Sequence, residues 1–152
     1  MTNEQNQSTF QIPEWVDTVS PSLYTLKAMP QDENVFCRDV DPLAMALKLE
    51  ANARHKKEEW WVWSLLILPD RMFALISVTP NLSSQMSIAN FKRFTDRTLK
   101  INWRRGFKEI PIEDQDALEE AAAYVKSRPV ERGFCETIEN WPYHWTSKDF
   151  AG

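Results

Sequence analysis

Trp60-Trp61-Val62-Trp63-Ser64-Leu65-Leu66-Ile67-Leu68, then Pro69-Asp70, then Arg71-Met72-Phe73-Ala74-Leu75-Ile76-Ser77-Val78: the fold turns on this stretch. Each flank is an almost unbroken apolar run of strand length, and the proline-aspartate pair between them has the chemistry of a turn. The two runs read as a β-hairpin at the centre of a sheet. Alternation along the first run puts Trp61 and Trp63 on one side and Trp60 on the other. Upstream, Leu23 to Met29 reads as a strand closed by Pro30 and the polar turn Gln31-Asp32-Glu33-Asn34. Asp41-Pro42 then starts a helix, because a carboxylate caps free amides and proline suits the first helical position. That helix runs to about Lys57 with Leu43, Leu47 and Ala51 on one stripe.

Downstream, Pro80, Asn81, Ser83 and Ser84 offer caps for a helix from Ser84 to Lys100, whose apolar side carries Ile88, Phe91 and Phe94. A short strand over Phe107 to Ile112 follows. Glu113, Asp114 and Asp116 suit the N-terminus of a last helix, which Pro129 is expected to stop at Arg128. The tail from Glu131, with Trp141, Pro142, Tyr143 and Trp145, reads as irregular structure packed back on the domain. The order is β-α-β-β-α-β-α, which predicts an α+β fold with a ferredoxin-like antiparallel sheet and its helices on one face. Residues 1–21 form a polar N-terminal arm, and residues 22–152 the domain with its aromatic tail.

A chain of 152 residues, 43% hydrophobic and 26% charged, suffices for one core and one domain. Only three glycines are present, which disfavours glycine-rich phosphate loops, and no dinucleotide fingerprint occurs. Cys37 and Cys135 belong to no CxxC pair, so neither a disulfide framework nor a zinc site is expected and a reducing, cytoplasmic address is. No apolar run approaches the roughly 20 residues of a membrane span, so no membrane association is expected. The net charge is −4, so a nucleic-acid role must rest on a local patch. Such a patch exists: Lys92, Arg93, Arg97, Lys100, Arg104, Arg105 and Lys108 face one acid, Asp96, within a single segment. Trp103 and Phe107, interleaved with them, are candidate stacking surfaces for unpaired bases. The competing reading is a solvated helix face balanced by the acids of the last helix.

Several stretches resemble one known family. Leu68-Pro69-Asp70-Arg71-Met72-Phe73-Ala74-Leu75 is similar to Met-Pro-Asp-His-Val-His-Leu-Leu, and Trp103-Arg104-Arg105-Gly106-Phe107-Lys108-Glu109-Ile110 to Trp-Gln-x-Gly-Phe-x-Asp-His. Lys92-Arg93-Phe94 follows a Lys-x-Phe pattern. Tyr124 to Phe134 is similar to Tyr-Ile-x-x-Asn-Pro-Val-x-x-Gly-Leu, and Glu139-Asn140-Trp141-Pro142-Tyr143 to Glu-Asp-Trp-Pro-Trp. In that order and spacing they resemble the REP-associated tyrosine transposases, an IS-two-hundred-like group of the His-hydrophobic-His (HUH) nucleases. The likeness spans roughly Leu23 to Trp145.

The resemblance implies a tyrosine that attacks a DNA phosphodiester while two histidines and an amide hold a divalent metal. Here those ligand positions are Arg71, Phe73 and Arg128, and neither a guanidinium nor a phenyl ring ligates a metal. His55 and His144 lie outside the motif. No metal and no cofactor are therefore expected, and Tyr124 is left as a vestigial candidate nucleophile. The leading expectation is a DNA-binding domain for single-stranded or hairpin DNA that lacks metal-dependent cleavage, with Arg71 and Arg128 replacing the metal as direct phosphate donors. Two alternatives stay open: a DNA-nicking enzyme acting through Tyr124, and a protein-interaction module without nucleic acid. A homodimer is also open, since some of the tryptophans would suit a partner surface.

Overall fold

The structure is a computed structural model that describes residues 12–30 and 42–150. Cys37, Asp41, the turn 31–34 and the first part of the polar arm lie outside the described residues. The elements are β1 (Ser22–Lys27), α1 (Pro42–Lys56), β2 (Trp60–Leu68), β3 (Arg71–Val78), α2 (Ser84–Leu99), β4 (Lys108–Pro111), α3 (Gln115–Glu131) and β5 (His144–Thr146). They build a five-stranded antiparallel sheet in the order β4-β1-β3-β2-β5. The first four strands have the ferredoxin-like arrangement that the element order predicted.

Local chemistry sets the ends of the helices. The Ser83 hydroxyl accepts from the Met86 amide at the start of α2, and the Asp114 carboxylate accepts from the Ala117 amide at 2.8 Å at the start of α3. α2 ends on Lys100 in the left-handed region, φ 60°.

The sheet is apolar on both faces, and this corrects the expectation that all helices share one side. α1 and α2 pack through Ala44, Leu47, Ala51, Ile88 and Phe91 against Tyr24, Leu26, Leu65, Ile67, Met72, Ala74 and Ile76. α3 packs through Ala121 and Val125 against Leu23, Leu66, Leu68, Phe73 and Leu75, a separate core on the opposite face. The physical reason lies in the hairpin: both parities of β2 and β3 are apolar, so each face needs a cover. A bulge at Trp63, between the Val62 and Ser64 pairings, shifts which residues of β2 face which core.

Two more expectations are corrected. α3 does not stop at Arg128 but runs through Pro129 to Glu131, with Pro129 buried. Near a helix end proline forfeits a single amide donor, and the burial of its ring offsets that loss. The tail is not wholly irregular either. β5 adds to the outer edge of β2, with Trp145 opposite Leu65 and His144 opposite Leu66. The Trp141 indole N–H reaches the Ile67 carbonyl at 3.0 Å. An open edge offers unpaired backbone groups, and the tail satisfies them.

Candidate nucleic-acid interface

Register places the chemistry in rows across the α3 face. One row reads Lys108, Thr25, Phe73, Leu66, His144 from β4 to β5, and the next reads Lys27, Arg71, Leu68. Cross-strand partners point to the same side, so Lys27 and Arg71 are direct neighbours and Lys108 stands one row away. The cation-rich end of the sheet is thus assembled from three strands far apart in sequence.

Tyr124 projects from α3 above this surface, 46% exposed. Its ring meets Phe73 edge-on, with centroids 6.3 Å apart and planes at 82°. The guanidinium carbon of Arg128 lies 4.0 Å from the Tyr124 ring centroid, and Arg128 Nε donates to the Tyr124 carbonyl at 3.1 Å. Phe73 is nearly buried in the α3 core.

Arg71 is held by its neighbour Asp70. Its Nη2 donates to Asp70 Oδ2 at 2.8 Å, while Arg132 Nη1 donates to Asp70 Oδ1 at 2.9 Å. Burial raises the pKa of the Asp70 carboxyl, but the hydrogen bonds and charges of the two arginines outweigh it and hold the group down at about 2. Arg71 and Arg128 thus have different partners within the protein, Arg71 sharing Asp70 with Arg132 and Arg128 covering the Tyr124 ring. Arg132 was not singled out in the sequence, because its role depends on the helical turn beyond Pro129.

The basic segment divides in the same manner. Lys92 donates its ammonium to the carbonyls of Arg104 and Gly106, so it pins the 104–106 loop, and burial lowers its pKa. Arg104 is anchored on β1, with its amide on the Lys27 carbonyl at 2.8 Å and Nε on the Ala28 carbonyl at 3.2 Å. Arg93 hydrogen-bonds Asn90, Arg97 covers the Phe94 ring, and both are exposed together with Lys100 on α2. No acid of α3 pairs with them among the described residues.

Trp103 and Phe107 do not stand free as stacking platforms. The Trp103 indole donates to Thr95 at 2.9 Å, Phe107 meets Tyr24 edge-on at 5.8 Å, and both pack against the α1–α2 core.

Lys27 is a site residue that sequence reading missed. Its pKa is lowered first by the charge of Arg71, then by burial and by Arg104 and Lys108, with Asp70 opposing. Its one sequence signal was a lysine at the end of a buried strand, where charge is uncommon.

No three His, Cys, Asp or Glu side chains among the described residues are grouped so as to hold a metal ion. Arg71, Phe73 and Arg128 supply no metal-ligating lone pair, so the residues present do not fit a divalent cation at this place. Both histidines have structural partners. His55 Nδ1 accepts from the Val62 amide at 3.1 Å, and His144 Nε2 contacts Ser64 Oγ at 3.2 Å.

The architecture is thus an α+β sandwich with a ferredoxin-like sheet core and one helix crossing a cationic sheet end. Among solved structures it is similar to a REP-associated tyrosine transposase bound to a REP hairpin, with a TM-score of 0.71 at 13% identity, covering 82% of this chain and 75% of that one. At that identity the likeness shows a shared fold. No family model matches the sequence, and no curated protein does. Among the described residues no helix is long and apolar enough to cross a membrane.

Proposed function

We propose that this domain binds single-stranded or hairpin DNA on the α3 face of its sheet and does not cleave it by a metal-dependent route. The observation that carries this reading is the gathering of Lys27, Arg71, Arg104 and Lys108 at one sheet end of a protein whose net charge is −4. Tyr124, Arg128 and the exposed Arg105 extend the basic and aromatic surface, while Lys92 holds the loop that presents Arg104 and Arg105; Arg93, Arg97 and Lys100 form a separate exposed basic stripe on α2, which covers the other face of the sheet. The similar fold of a transposase solved with a REP hairpin supports DNA of that kind as the partner. The absence of ligating atoms at Arg71, Phe73 and Arg128 supports binding without metal catalysis.

Fluorescence anisotropy with labelled hairpin and single-stranded oligonucleotides at low salt tests the binding. Affinity falling steeply with added salt is expected. Absence of binding at low salt removes the proposal in favour of a protein-interaction module.

One observation favours a second reading: the Tyr124 phenol is exposed, with a guanidinium stacked on its ring. In that reading the Tyr124 oxygen attacks a DNA phosphodiester, the P–O3′ bond breaks to leave a 5′-phosphotyrosine and a free 3′-hydroxyl that takes up the proton the phenol gives up, and arginines stabilise charge at the phosphate. Incubation with labelled hairpin, with and without magnesium or manganese, decides between the two. A covalent adduct that Tyr124→Phe abolishes would establish the enzyme.

A further inference from the structure

Beside the sheet end lies a cavity of about 250 Å³ lined by Thr25, Lys27, Arg104, Arg105, Phe107 and Lys108, with Gly106 at its rim. Among the described residues four of its lining side chains are cations and none is an acid. Among the described residues the side chains of Lys27, Arg105 and Lys108 have no hydrogen-bond or ion-pair partner, whereas those of Arg71 and Arg132 next to them are both satisfied by Asp70. β4 alternation explains why the neighbouring Glu109 does not balance them. Lys108 points to this side, while its neighbour Glu109 points to the other, where it accepts from Ser22 at 2.9 Å and from Tyr24 at 3.0 Å. Asp70, across a smaller cavity that it shares with Lys27 and Arg104, has both oxygens taken by arginines.

The walls are positioned before any ligand arrives. Lys92 ties the carbonyls of Arg104 and Gly106 to α2, and Arg104 is bonded to Lys27 at the end of β1 and to Ala28 just beyond it. Gly106 adopts φ +74°, a conformation that favours glycine and that sets the sharp turn of the loop. Charges of one sign held at close range destabilise the folded state unless an opposite charge joins them. The volume is below that of a pocket for a drug-sized ligand, and it suits one tetrahedral oxyanion with part of what it is attached to.

We propose that this pocket holds a single phosphate group of a bound nucleic-acid strand, gripped by Lys27, Arg104, Arg105 and Lys108. The inference rests on the DNA-binding reading above and names the place on that surface where one phosphate is fixed. A terminal phosphate, with its charge near −1.5 to −2 at neutral pH, is held more tightly than an internal one with a single charge.

Two measurements on the full chain test it. Titration of the isotope-labelled protein with inorganic phosphate, against chloride at matched ionic strength, is expected to move the amide resonances of Gly106, Phe107 and Lys108 and to leave Arg93 and Arg97 in place. Equal or absent shifts at both places overturn the proposal, with no variant involved. Oligonucleotide binding is then compared for Lys27→Gln and Lys108→Gln against Arg93→Gln and Arg97→Gln. The first pair is expected to weaken binding roughly tenfold and to lower the salt slope by about one each, the second pair to do less. Equal effects of the two pairs overturn the pocket and leave DNA binding standing. Phosphate shifts with no oligonucleotide binding retain the anion pocket and overturn the nucleic-acid strand as its source. Tighter binding of a 5′- or 3′-phosphorylated oligonucleotide than of its unphosphorylated counterpart identifies the terminal phosphate as the group held, and equal binding that still needs Lys27 and Lys108 identifies an internal one.

Discussion

Two groups of cations sit at the same end of the sheet and are built in opposite ways. At the β2–β3 turn, Arg71 and Arg132 share one carboxylate, Asp70, and that cluster ties the turn to the end of α3. At the β1–β4 edge, Lys27, Arg104, Arg105 and Lys108 surround a cavity that no acid lines among the described residues. The same kinds of side chain hold the fold in one place and face outward unneutralised in the other. Whether a carboxylate is within reach decides which, and β-strand alternation and the length of α3 decide the reach.

The largest expected effect comes from removing the shared carboxylate. Asp70→Ala leaves two guanidiniums without their acceptor, and urea denaturation is expected to show a loss of about 2–4 kcal/mol. The same variant frees two cations, so oligonucleotide affinity should rise as stability falls. Unchanged stability would break the distinction between the two clusters.

Acid sharpens the comparison. Burial lowers the pKa of both histidines below the ordinary 6.5, aided at His144 by Lys126 and opposed by Asp149, and opposed at His55 by Glu58. The unfolded chain therefore binds protons more readily than the folded one, and stability should decline as pH drops below 6.5. Asp70, depressed from 3.8 to about 2, contributes stability that is complete above 3.8 and disappears as pH falls through about 2. Thermal unfolding across this range in the native protein and in Asp70→Asn should show the lower phase in the native protein alone.

At the unneutralised edge the sign reverses. Lys27→Gln relieves repulsion from Arg71 and Arg104, so it should stabilise the free protein by a few tenths of a kcal/mol at low salt and by nothing at high salt. A destabilisation there would mean that Lys27 is held as Arg71 is. The smallest effect belongs to α2: Arg97→Ala should stay within about 0.5 kcal/mol in the same unfolding assay, because its guanidinium only covers the Phe94 ring at the surface.

Much of the fold was legible. Two apolar runs around Pro69-Asp70 specify a hairpin through local patterning, and Ser83 and Asp114 are caps recognisable from their neighbours. The candidate site was legible only in part. Arg71, Phe73, Tyr124 and Arg128 were marked by their place in a motif, and the structure does bring Phe73, Tyr124 and Arg128 together. Lys27 and Arg132 were not, since each acquires its meaning from a partner more than forty residues away. Trp103 and Phe107 looked like open rings beside cations, but burial against α1 and α2 is not written in their spacing.

The chain alone determined its first four strands and its three helices, the missing metal-ligating atoms at Arg71, Phe73 and Arg128, and the concentration of positive charge between Lys92 and Lys108, because each of these is set by residue chemistry and short-range order. Tertiary structure decided that α3 covers the opposite face, that the tail supplies a fifth strand, and which cations meet a carboxylate and which meet a cavity. Those outcomes depend on strand order and register, which bring side chains together across the sheet regardless of their separation along the chain.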